Sequence, residues 1–131
     1  VKAEKSIEEV LQEEFLRERA AVLSKAAEKL TKKLELLARI EENICRETTA
    51  LECLDQKEGG QNEAVEDSCI HKKMIVEQIN LNIDQFNKAR EKAKIDYYYL
   101  IVTREALGLR KHHWVEAFYS IPPKKRYVKD I

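Results

Sequence analysis

The sequence predicts an all-α protein: a long antiparallel, coiled-coil-like helical hairpin with a short third helix at its C-terminal end, assembling into a multi-helix bundle. Three observations predict it. Leucine or isoleucine recurs every seven residues at Leu16, Leu23, Leu30, Leu37, Ile44 and Leu51, and a second heptad row follows a pair of glycines. Only one interruption, Gly59–Gly60, falls within the first hundred residues. The composition is 37% charged with three glycines and two prolines, which suits long exposed helices better than a compact globule.

The first helix starts near Ile7, because Ser6 and Glu9 form an S-x-x-E capping box in which each side chain satisfies the other residue's free amide. It extends to about residue 58. Phe15, Val22, Ala26, Ala27, Leu34, Leu36 and Ile40 widen the heptad row, and that breadth favours a bundle of three or more helices at the contact. Residues 59–67 read as the turn, with Asn62, Asp67 and Ser68 competent to cap the restart. A turn centred near 61 makes facing residue numbers sum to about 122, which sets Leu16 beside Ala106, Leu37 beside Gln85 and Cys53 beside Cys69.

The second helix, about 68–107, carries two apolar stripes. One is Val65, Ile79, Phe86, Ala93, Leu100 and Leu107, widened by Val76, Ile83 and Tyr97. The other, Met74, Leu81, Ile95 and Val102, lies about 200° around the helix at 100° per residue. Two apolar sides call for two partners, and the hairpin supplies one. Met74, Leu81, Ile95, Tyr99 and Val102 are therefore the candidate interface with a second copy or with another helical protein. Tyr97, Tyr98 and Tyr99 point about 100° apart, so they suit interface edges rather than a ligand cage.

Gly108 marks the end of the second helix as a left-handed C-terminal cap. A short helix over about 111–120 follows, stopped by Pro122 and Pro123, and it is expected to cover Ile7, Leu11 and Phe15. A basic tail occupies 122–131.

Charge is zero overall but uneven: residues 1–58 hold eleven Lys or Arg against fourteen Asp or Glu, and residues 104–131 hold seven against three. Arg110, Lys111, Lys124, Lys125 and Arg126, interleaved with Trp114, Phe118, Tyr119 and Tyr127, form a candidate anion-binding segment that nucleic acid would contact through phosphates and stacked bases. No nucleic-acid-binding motif accompanies them, and the spacing of Trp114, Phe118 and Ile121 is that of a helix face on a core, so this reading ranks second.

The remaining chemistry is sparse. Cys53, Cys69 and His71 lie near the turn, but without CxxC or HxxxH spacing they read as seam cysteines, then as a facultative disulfide, and last as zinc ligands. Cys45 sits one position off the seam. No glycine-rich phosphate loop, G-x-S-x-G elbow or inward Glu-x-x-His pair is present, so neither catalysis nor a cofactor or metal is expected. Asn80, Asn82 and Asn87 are unusual helix residues that either fix register or face water. No stretch reaches the roughly 20 apolar residues of a membrane span, and a reducing cytoplasm is the default for three unpatterned cysteines. The function expected is a non-enzymatic interaction or scaffold module that self-associates through the second helix.

Overall fold

The computed structural model describes residues 6–57 and 65–129. Helix α1 spans Ile7–Lys57, α2 spans Val65–Ala106 and α3 spans His113–Phe118, with no strand among the described residues. The two long helices pack side by side as a hairpin. The turn glycines and Asn62 lie outside the described residues, and α2 begins three residues before the expected start.

At the start of α1 the Ser6 hydroxyl accepts the amide of Glu9 at 3.2 Å, which is one half of the capping box. The helix then runs 51 residues, about 75 Å at 1.5 Å per residue. Such a length needs lateral support, and the heptad row supplies it. Leu37, Ile44 and Leu51 of α1 meet Val76, Ile79, Ile83, Phe86, Ala89 and Ala93 of α2 in one apolar cluster. Higher up, Ala26 and Leu30 meet Leu100 and the α3 residue Val115 in a second. Phe86, Ile79 and Leu30 are fully enclosed.

The register differs from the one implied by a turn at 61. Arg19 donates to the carbonyl of Leu107, Asp55 pairs with Lys72, and Asn82 donates to the Glu47 carboxylate at 2.9 Å. These pairs sum to between 126 and 129. Side chains on each helix lean toward that helix's own N-terminus, so in an antiparallel pair both reach past the residue that lies level with their Cα.

Two further expectations are corrected. The third helix does not cover Ile7, Leu11 and Phe15, which stay exposed; it packs lower, over Ala26, Leu30 and Leu100. The cause is the turn before it. Gly108 has φ of 90°, and the Leu109 amide returns to the carbonyl of Arg104 at 2.9 Å, so the chain reverses at once. Arg104, itself buried, then holds the return: its Nη2 donates to the Lys111 carbonyl at 2.9 Å, its Nε to His112 Nδ1 at 3.3 Å, and its guanidinium lies 4.8 Å from the Trp114 ring centre. The seam's extra breadth is filled only in part, since Phe15, Val22 and Leu36 stay exposed. Its added wall is α3 at one level and the C-terminal segment at another, where Val128 packs against the larger cluster.

Phe86→Ala removes the largest fully enclosed side chain and is expected to lower stability by about 3–5 kcal/mol. Urea unfolding followed by circular dichroism measures it, with exposed Ile7→Ala as control. Equal effects from the two substitutions would contradict this packing.

Candidate functional site

The outer face of α2 is uncovered. Met74, Leu81, Ile95, Tyr99 and Val102 are between 55% and 67% exposed, opposite the row that meets α1. Their neighbours divide them into two patches. Ile95, Tyr98, Tyr99 and Val102 fall at i, i+3, i+4 and i+7 and form one continuous surface, whereas Met74 joins Ile70 one turn away. Lys88 takes the heptad position midway between Leu81 and Ile95. Tyr99 and Tyr98 flank the sevenfold row at i+4 and i+3 from Ile95, and Ile70 extends it at i−4 from Met74; Tyr98 and Ile70 are the two exposed residues that the expected interface set lacks.

The proposed anion-binding residues do not converge. Arg110 and Lys111 sit on the turn between α2 and α3, while Lys124, Lys125 and Arg126 lie beside Asn87. From Arg104 back to Asn87 the helix rises about 25 Å. Lys125 is also engaged, with its ammonium 3.3 Å from Glu41 and 5.0 Å from the Phe86 ring centre.

Residues 120–129 are the feature that the sequence left unread. They run as an extended strap antiparallel to α2, with Pro122 at Arg90, Lys125 at Asn87 and Val128 at Asn80. Arg90 Nε donates to the Pro122 carbonyl at 2.8 Å, and the Tyr127 hydroxyl donates to Asp84. Asn80 and Asn87 thus serve the strap, and Asn82 serves the hairpin register. The strap occupies one flank of the hairpin and leaves the outer stripe of α2 open.

The cysteines do not lie in the seam: Cys45, Cys53 and Cys69 are all exposed free thiols. Cys45 and Cys53 fall off the heptad row, since the register turns Leu51 and not Cys53 inward, whereas Cys69 continues the row of Val76 and Ile83 but lies beyond the buried cluster, at the turn end of α2. Among the described residues no three His, Cys, Asp or Glu side chains converge as a metal site.

No family profile, characterised protein or solved structure matches the chain. Its own geometry therefore carries the functional argument. None of its described helices is long and apolar enough to cross a membrane. Where chemistry is concentrated, it is the chemistry of contact: apolar and tyrosine side chains on one face of α2, paired amides on the next.

Two tyrosines are perturbed. Burial, with Glu116 and Tyr98 nearby, raises the pKa of Tyr97, and the hydrogen bond to Asp84, with some burial and the carboxylate's charge, raises that of Tyr127. A raised pKa means that the neutral hydroxyl favours the docked strap. That contribution is complete below the ordinary tyrosine value of 10.0 and is lost as pH rises through the higher titration of Tyr127. Ultraviolet titration is expected to show a late component from two tyrosines, of which Tyr127→Phe removes one and leaves that of Tyr97. Loss of an ordinary component, with the late one undiminished, would contradict the Asp84 contact.

Proposed function

We propose that the chain is a non-enzymatic interaction or scaffold module that self-associates through the outer face of α2. The supporting observation is the exposed cluster Ile95, Tyr98, Tyr99 and Val102 together with Met74 and Leu81. Tyrosine suits such a contact because its ring is apolar and its hydroxyl tolerates a wet rim.

A second copy is the partner that fits the spacing. The row is symmetric about Lys88, since Leu81 and Ile95 lie seven residues to either side and Met74 and Val102 fourteen. An antiparallel copy then sets Leu81 against Ile95 and Met74 against Val102 twice over, as a two-fold contact requires. Lys88 falls on the axis, where its stem packs and its ammonium reaches out to water. Burying such side chains contributes about 1.5 to 3 kcal/mol each before the losses of association. Exposed thiols at Cys45, Cys53 and Cys69 go with a reducing, cytoplasmic setting.

Sedimentation at micromolar concentration is expected to show a dimer or larger species that Leu81→Glu or Val102→Glu weakens at least tenfold. A monomer throughout this range would sink self-association, and a monomer that instead binds a foreign helix would reassign the face.

The runner-up is anionic-surface or nucleic-acid binding, supported by the exposure of Arg110, Lys111, Lys124 and Arg126. Its affinity would fall steeply with salt, and joint replacement of Lys124, Lys125 and Arg126 by Ala is expected to abolish it. Binding to a mixed-sequence oligonucleotide that ignores both changes would eliminate this route.

A further inference from the structure

Asparagine weakens a helix interior, because its side chain competes for main-chain hydrogen bonds. Asn80 and Asn87 turn that chemistry outward. Asn80 Nδ2 donates to the Val128 carbonyl at 3.2 Å, and its Oδ1 accepts the Val128 amide at 2.8 Å. Asn87 does the same with Lys125, at 3.0 Å in both directions. A primary amide presents one donor and one acceptor side by side, as a peptide group does, so each ring of two bonds reads main chain whatever the residue.

The spacing selects the shape of what is read. Seven residues of helix rise about 10.5 Å, and three residues of extended chain advance about 9 to 10 Å, so Lys125 and Val128 arrive in step with Asn87 and Asn80. A helical segment would advance only about 4.5 Å over three residues and would already have spent its amides internally. Side chains then set the register. Glu41 and the Phe86 ring receive the Lys125 ammonium, Asp84 receives the Tyr127 hydroxyl, and the aliphatic Val128 packs on the seam.

We infer that this track, Asn80, Asp84, Asn87 and Arg90 with Glu41 across the groove, is a peptide-binding site. It takes an extended segment with a basic residue three positions ahead of an aliphatic one. Its resident is the chain's own strap, and its exchange partner is the strap of a second copy. Each bond made by a neighbour's strap replaces an identical bond, so exchange needs no new contact, which is what makes swapping an identical element a low-cost route to linked copies. The resident is tethered, and a short tether corresponds to a local concentration of order millimolar, which sets the range in which exchange appears. The inference holds whether or not the outer face of α2 pairs.

Two full-length variants test it by complementation. Asn80→Ala with Asn87→Ala disables the groove and leaves the strap intact; Lys125→Pro with Val128→Pro removes the two strap amides and leaves the groove intact. Amide exchange at Lys125 and Val128 is followed by NMR in the isotope-labelled groove variant. It is expected to be about tenfold or more faster than in the wild type, and to slow again when the unlabelled strap variant is added at millimolar concentration. Unchanged exchange in the groove variant would show that the asparagines do not read the strap, and exchange that stays fast on mixing would show that the site refuses a segment in trans. If either variant loses helicity by circular dichroism, the wild-type chain decides. A synthetic peptide of residues 121–129 at millimolar concentration is expected to accelerate exchange at the chain's own Lys125 and Val128, and a scrambled peptide is not; no effect from the matching peptide would overturn the inference. Because the readout is strap protection rather than mass, its failure is distinct from a failure of self-association.

Discussion

The apolar seam between α1 and α2 is the constraint on which the rest of the structure depends. Neither long helix has another source of order over most of its length, since isolated helices in water are marginal and the exposed ion pairs along them, such as Lys32 with Glu28 and Arg46 with Glu42, contribute little. Leu30, Leu37, Ile44 and Leu51 meeting Ile79, Phe86, Ala93 and Leu100 supply the burial and at the same time set rotation and register. Once that rotation is set, every other surface follows. Asn80, Asp84 and Asn87 are turned to one flank, Met74, Leu81, Ile95 and Val102 to the back, and Arg104 to the reversal that positions α3.

Much of this was legible because heptad periodicity reports directly on which face of a helix is buried. The row at Leu30, Leu37, Ile44 and Leu51, the row at Ile79, Phe86, Ala93 and Leu100, and the cap at Gly108 all follow from spacing and from backbone conformational preference. The outer stripe was equally readable as a set of exposed residues. What spacing could not supply was the destination of the chain after Gly108. The short helix was readable from its apolar spacing, but its docking site depended on the tightness of the reversal and on the grip of Arg104 on Lys111 and His112, which are tertiary facts.

The strap was harder still. An extended segment that bonds through main chain carries no periodic signal, and the sequence PPKKRYV reads as a solvated basic tail. The signal lay in its receptor. Asparagines seven residues apart on one helix face are costly where a helix could use Ala or Glu, and they fall beside the buried row rather than on it. Basic residues that looked like a patch for phosphates are partly occupied in cis: Lys125 faces Glu41 and Phe86, and the strap main chain is fixed by Asn80, Asn87 and Arg90. Reading charge by composition misses this, because a lysine's availability depends on the carboxylate placed against it.

The strap also depends on both long helices at once. Asn80, Asp84, Asn87 and Arg90 belong to one helix, but Glu41 is 84 residues from Lys125 in the chain, and Val128 rests on a surface that exists only after α1 and α2 have zipped together. The bonds to Asn80, Asn87 and Arg90 span 32 to 48 residues and need α2 alone, whereas the Glu41 and Val128 contacts need both helices, so the full set of strap contacts requires the finished hairpin. A hairpin without its seam would offer the segment α2 alone, and stowing it against both helices is the molecular sign that the hairpin is complete.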